Sequence, residues 1–315
     1  MNTRLIKIAL PGIVWLLSLF SCSSEDPVPQ PLPEPTLNPS DSLVLTELYK
    51  AFEGEKWAPP GMGWDLTDIH TWGGVSAVLD SVHNEYRVFK VILNQPSWEY
   101  PQGYISERIG DLPYLMDFRV GGRGLRGPIP ESLFKLPFLL NVRIAGTSIS
   151  GEIPDFVFQC PSLLRLDLSG NYHYGEVPDA ITLWNNPEAT CVLRENDLSG
   201  EVPAGIKIKE LDLAYNDFTE FPFDYCFNDY PRILMTRNPF SVDIPDSVLN
   251  NPDAVANLYA WTLAARFPNI PDWWYNGGPP DPEETENIQA AQASRTAAPI
   301  RTRIELRTDI PLPGR

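Results

Sequence analysis

Beyond residue 91 the chain alternates apolar and polar positions in short bursts that return at a nearly constant interval. The apolar pairs are Phe118 and Val120, Val142 and Ile144, Leu166 and Leu168, Cys191 and Leu193, Leu211 and Leu213, and then Leu234 with Thr236. Alternation of period two marks a strand with one buried face. Between bursts stands Ile-Pro or Val-Pro, at Ile129-Pro130, Ile153-Pro154, Val177-Pro178, Val202-Pro203 and Ile244-Pro245, with Phe221-Pro222 and Ile105-Ser106 as variants. The second residues fall at 106, 130, 154, 178, 203, 222 and 245, so the intervals are 24, 24, 24, 25, 19 and 23. Glycine stands two before the apolar residue at Gly103, Gly127, Gly151, Gly175 and Gly200. A unit of this size cannot bury its apolar row alone; stacked copies can, and the pattern predicts a solenoid.

An asparagine follows the later strands, at Asn171, Asn196, Asn216 and Asn238. The stretches Leu166-Asp-Leu-Ser-Gly-Asn171 and Asp197-Leu-Ser-Gly-Glu-Val-Pro203 resemble the plant-type leucine-rich repeat, whose consensus reads LxxLxLxxNxLxGxIPxxLxxL. The resemblance covers seven copies over about residues 91–257. It implies an α/β horseshoe with a parallel sheet on its concave side, capped at both ends, with the asparagine amides forming a buried ladder.

Residues 41–90 resemble the amino-terminal cap of that family. Residues 41–52 predict an amphipathic helix with Leu43, Leu45, Leu48, Tyr49 and Phe52 on its apolar side, and Trp57, Trp64 and Trp72-Gly-Gly-Val75 follow. The family's capping cysteines are absent and Ser76 stands near one expected position, so aromatic packing is expected to hold the cap. At the other end residues 258–267 predict a helix and Pro271-Asp-Trp-Trp-Tyr-Asn276 an aromatic plug, together a cap over 258–278. Residues 279–315 lose the pattern and read as a disordered tail. Cys160 aligns with Leu136 and Cys191 with Leu166, both core positions, while Cys226 falls in the irregular sixth copy. Three repeats of about 4.8 Å separate Cys160 from Cys226, too far for a disulfide, so free buried thiols are expected.

Composition narrows the function. With 41 acidic and 24 basic residues the formal charge is −17, which repels phosphate backbones and argues against a nucleic-acid partner. At the start, Arg4 and Lys7 precede an apolar run over residues 13–20, too short to span a bilayer. Leu19-Phe20-Ser21-Cys22 resembles the lipobox of bacterial lipoproteins, with Phe20 bulkier than usual there. It implies a signal peptide over residues 1–21 and lipidation of Cys22. Ser23-Ser24-Glu25-Asp26 resembles the acidic stretch that marks surface lipoproteins of Bacteroidetes. Alternating prolines from Pro27 to Pro35 then predict a semi-rigid polyproline tether within residues 22–40. An outer-membrane lipoprotein displayed on the cell surface is expected, touching the membrane through its lipid alone.

The three histidines, His70, His83 and His173, have no metal-ligand spacing, and no HExxH, CxxC or GxSxG motif occurs. Neither an enzyme nor a metal or cofactor is expected, and His173 reads as an exposed turn residue. The outward residues of the strands form three rows. The central one is Arg119, Arg143, Asp167, Val192, Asp212 and Met235; before it run Asp117, Asn141, Arg165, Thr190, Glu210 and Ile233; after it run Gly121, Ala145, Ser169, Arg194, Ala214 and Arg237. Arg119 and Arg143 are expected to point away from the core and make one end of the face basic, with charge grading to acidic at Glu210 and Asp212 and a more apolar end at Ile233 and Met235. The candidate ligand-binding residues are Arg119, Arg143, Arg165, Asp167, Arg194, Glu210, Asp212, Met235 and Arg237. They suit a protein or glycoprotein ligand. The alternatives are glycan capture through Trp57, Trp64, Trp98, Trp273 and Trp274, or a structural or inhibitory subunit of an outer-membrane assembly. The anchor is directly testable: wild type should partition into detergent, and Cys22→Ala should be released or remain an unprocessed precursor. Unchanged partitioning of Cys22→Ala would end the lipoprotein reading.

Overall fold

The computed structural model describes residues 34–56, 72–93, 101–228, 231–262 and 267–270. The signal, lipobox, most of the proline-rich stretch, the five tryptophans named above and the tail all lie outside those residues. The main sheet runs in the order Thr36–Leu37, Glu85–Leu93, Asp117–Gly121, Asn141–Ala145, Arg165–Asp167, Thr190–Val192, Glu210–Asp212 and Arg232–Leu234. Val75–Asp80 pairs antiparallel with Glu85–Leu93, and the other neighbours are parallel. From Glu85–Leu93 onward spatial order equals chain order, as stacking of successive units requires.

Register stacks one inward residue per strand: Val91, Phe118, Val142, Leu166, Cys191, Leu211 and Ile233, each at most 1% exposed. In the last strand the inward residues are Ile233 and Met235, both fully buried, and not Leu234 and Thr236. A slip of one residue in a period of two exchanges the faces, so Met235 leaves the predicted concave row and enters the core. The ladder asparagine carries the signal that fixes this register. Asn171, Asn196 and Asn216 each lie five residues after the first inward residue, and the same offset from Asn238 selects Ile233.

The prolines explain the outer side. Short 3-10 helices at Glu131–Lys135, Asp155–Phe158, Asp179–Leu183 and Phe223–Phe227 each begin directly after a proline. The ring holds φ at −72°, −72°, −61° and −78° in these four, and a residue entering a helix has no partner for an N–H that proline lacks.

The asparagines satisfy backbone groups that every turn leaves inside the solenoid. Asn196 Nδ2 donates to Leu168 and Leu193 carbonyls at 3.1 and 3.0 Å, and its Oδ1 accepts from His173 N at 3.0 Å. Asn216 repeats this with Leu193, Leu213 and Leu198 N, and Asn238 with Leu213, Met235 and Phe218 N. Asn171 donates to Ile144 and Leu168 and accepts from both the amide and the hydroxyl of Thr147.

At the amino end the helix Pro39–Ala51 is capped by Asn38, whose side chain accepts from Ser40 N and Asp41 N. It buries Val44, Leu45, Leu48 and Ala51, while Leu43 turns out to solvent. Asp41 is fully buried and accepts from Arg87 Nη2 at 2.9 Å and Val88 N at 2.8 Å, tying the helix to the first long strand. Trp72 is also buried. At the carboxy end the helix is Pro252–Trp261 and not 258–267, because Asn251 caps it and Pro252 occupies its first position. Trp261 O accepts from Met235 N at 2.8 Å, closing the sheet's last edge. Cys160, Cys191 and Cys226 are buried and free.

Asn216→Leu keeps the branched shape but leaves the buried Leu198 amide without its acceptor, and takes one of two donors from each of the Leu193 and Leu213 carbonyls. It should cost about 1–3 kcal/mol in urea unfolding, whereas exposed Asn185→Ala should stay within about 0.5 kcal/mol.

Candidate functional site

Strand alternation sends every second side chain of the seven parallel strands onto the concave face. Its central row is Ile92, Arg119, Arg143, Asp167, Val192, Asp212 and Leu234. Arg119 and Arg143 are not free cations. Arg119 Nε and Nη2 donate to the two carboxylate oxygens of Asp117 at 2.7 and 2.9 Å, and Arg143 bridges to Asp167 on the next strand. Asp167, 2% exposed, also accepts from Ser169 N at 3.1 Å and Ser169 Oγ at 2.6 Å. Reversing either arginine would therefore take the hydrogen-bonded cation from a buried carboxylate, so exposed Arg143 and half-buried Arg119 are both structural.

The far end is not apolar as the sequence suggested. The corrected register gives Arg232 and Leu234 where Ile233 and Met235 were expected, and Arg232 lies 3.5 Å from Glu210. Arg237 sits at a corner rather than on a strand, with φ of 64°. The equivalent corners are Gly146, Gly170, Glu195 and Tyr215, all in the left-handed region. Arg194 bonds Glu195 at 3.0 Å and lies over the Tyr215 ring, 5.4 Å from its centroid. Arg165 and Arg237 have no ion pair among the described residues. Among the described residues Asp212 accepts only from Ala214 N, at 3.0 Å. Its carboxyl is pushed above the usual range, first by burial and then by the charges of Glu210 and Asp167, against the pull of Arg194.

Beside the sheet the strand-entry edge exposes Met116 and Leu164, with Phe138 exposed behind them. Leu140 N donates to Met116 O and Leu164 N to Leu140 O, so the three entry residues stack in line. Sequence reading missed this row because apolar residues next to a strand pass for core.

No protein-family model matches the sequence, and no curated protein does. Among solved structures the PEPR1–AtPEP1 complex matches 69% of this chain and 30% of its own, at 23% identity and a TM-score of 0.53. The LRR ectodomain of the plant membrane receptor kinase GASSHO1/SCHENGEN3 from Arabidopsis thaliana, in complex with CASPARIAN STRIP INTEGRITY FACTOR 2, matches 72% of this chain and 29% of its own, at 18% identity and a TM-score of 0.52. This chain folds as a leucine-rich-repeat solenoid. It spans less than a third of the length of either ectodomain.

Two histidines of the solenoid depart from expectation. His83 meets Asp80 and Glu85 at a hairpin turn, where the ligand atoms of all three lie within 4.8 Å. The turn already uses them. Asp80 binds His83 and accepts from Val82 N and Tyr114, and Glu85 accepts from Asn38 and lies 3.6 Å from Arg87. The His83 hydrogen bond holds the Asp80 carboxyl down at about 2. His173 is 1% exposed, not a surface residue. Its Nδ1 meets Gly151 O at 3.0 Å, which sets Nδ1 as the protonated nitrogen, and Nε2 has no partner among the described residues. Burial lowers its pKa from the ordinary 6.5. Below about pH 6.5 the unfolded chain takes up a proton that the folded chain refuses, so this contribution to stability is lost as pH falls. Urea unfolding should weaken between pH 7 and 5 more in wild type than in His173→Leu; equal slopes would refute the assignment.

Proposed function

We propose that this protein is a non-enzymatic, surface-displayed lipoprotein that binds a protein or glycoprotein through the concave face of its solenoid. The observation that carries the reading is the open face of a parallel sheet. Such sheets are normally covered on both sides. Here Arg143 and Arg165 stand exposed on it, and Arg165 has no ion pair among the described residues. Met116 and Leu164 expose apolar surface beside the sheet, at its strand-entry edge. Apolar contact beside charged rows fits a macromolecular partner better than a small solute. The described tryptophans, Trp72, Trp184 and Trp261, are all buried and offer no platform for sugars. The same fold holds a second molecule in the GASSHO1/SCHENGEN3 complex. The lipidated Cys22, the proline-rich tether and the outer-membrane location complete the proposal, resting on the sequence resemblances alone.

The test is capture of surface proteins by the full chain, followed by affinity measurement on the captured partner. Arg165→Glu, at the middle of the face, should weaken binding about tenfold without changing the melting temperature. Leu183→Glu, exposed on the outer side, should bind normally, and Leu168→Ala should cost about 2–5 kcal/mol of stability as a core control. Normal binding by Arg165→Glu together with loss in Leu183→Glu would move the site off the concave face.

A further inference from the structure

We infer that the carboxy-terminal half of the concave face holds a subsite for a basic side chain, lysine or arginine, of an extended polypeptide ligand, with Asp212 receiving the cation. The inference rests on the concave face being the binding surface and names what that surface selects.

Three carboxylates on this face are nearly buried: Asp117 at 5%, Asp167 at 2% and Asp212 at 8% exposure. Taking a carboxylate out of water is costly unless a cation and hydrogen bonds replace the solvent. Asp117 has the two-pronged bond from Arg119, and Asp167 has Arg143 together with the amide and hydroxyl of Ser169. Asp212 has one backbone amide on Oδ1, no donor on Oδ2 and no ion pair among the described residues. Of the neighbouring cations, Arg194 bonds Glu195 and lies over the Tyr215 ring, leaving its buried Nε without a hydrogen-bond partner among the described residues, and Arg232 pairs with Glu210; neither comes within ion-pair distance of Asp212. The third carboxylate of the set therefore stands without its counter-ion, facing the open side of the sheet.

Its flanks complete the slot. Register sets Val192 on one side of Asp212 and Leu234 on the other, both half-buried and both outward by alternation. Strands lie about 4.8 Å apart, so the two apolar side chains stand where the methylene stem of a lysine or arginine would lie with its charge on the carboxylate. Glu210, two residues earlier on the same face, adds negative charge. A metal ion would want several oxygens converging on one point, whereas the side chains directly beside Asp212 in the row are apolar. The formal charge of −17 draws cationic ligands to the surface.

The test uses the full chain in detergent and two synthetic decapeptides, one alternating Lys-Gly and one alternating Gln-Gly. The lysine peptide should bind at least about tenfold more tightly than the glutamine peptide, and Asp212→Asn should remove that difference. Asp179→Asn, an exposed carboxylate of an outer turn, should change lysine-peptide affinity less than about twofold. Melting supplies a readout that a merely structural carboxylate would not give. Asp212→Asn should melt about 2 °C or more higher than wild type, because an unpaired buried charge is removed, while Asp167→Asn should melt lower. A lower melting temperature for Asp212→Asn, or equal losses of lysine-peptide binding in Asp212→Asn and Asp179→Asn, would overturn the subsite. If Arg165→Glu weakens binding of a captured partner and Asp212→Asn leaves the lysine peptide unaffected, the subsite fails and the concave-face reading stands. If Asp212→Asn abolishes lysine-peptide binding while Arg165→Glu leaves the captured partner bound, the subsite stands and the wider reading fails.

Discussion

Every turn of this solenoid brings backbone amides and carbonyls into an interior that holds no sheet partner for them. The buried asparagine amides answer that demand, each donating to a carbonyl of its own unit and one of the unit before, and accepting an amide in return. An unpaired polar group inside a protein costs about 1–3 kcal/mol, so a unit shifted against its neighbour would lose several such bonds at once. The ladder thereby fixes the stacking register, and the register fixes which residues share a row on the concave face.

The electrostatics of that face follow from the stacking. Arg143 and Asp167 are separated by one unit of chain and meet only because consecutive strands lie side by side. Their pairing lets a charged row sit on a sheet with Asp167 almost wholly enclosed. Where the pattern of pairing stops, at Asp212, the sheet carries a burial cost that its own side chains do not offset. A site that holds charge ready for a partner is expected to be less stable than the same fold without it.

His173 marks a second place where stability is given up, in the core itself. Its equivalents in the neighbouring units are Ile149 and Leu198, both buried apolar residues. An imidazole there keeps one nitrogen satisfied by Gly151 and leaves the other without a partner among the described residues. The solenoid tolerates it as a neutral ring, and acid removes that tolerance.

The sequence by itself determined the repeat, the solenoid and the core cysteines, because those depend on periods of two and about twenty-four that are written along the chain. Proline positions were legible for the same reason, since a ring acts on its own φ wherever it stands. The amino-terminal helix was legible as well, though its buried side centres on Val44 rather than Leu43. The tertiary structure decided what depends on neighbours. Leu234, between two other apolar residues, could face either way by alternation alone; the offset from Asn238 points it outward, and pairing with Asp212 sets it there and sends Met235 inward. That Arg143 neutralises Asp167 was likewise settled across strands, as was the lack, among the described residues, of a cation at Asp212. A hydrophobic period records which side of a strand meets the core; it carries no record of the side chain that the next strand sets beside it.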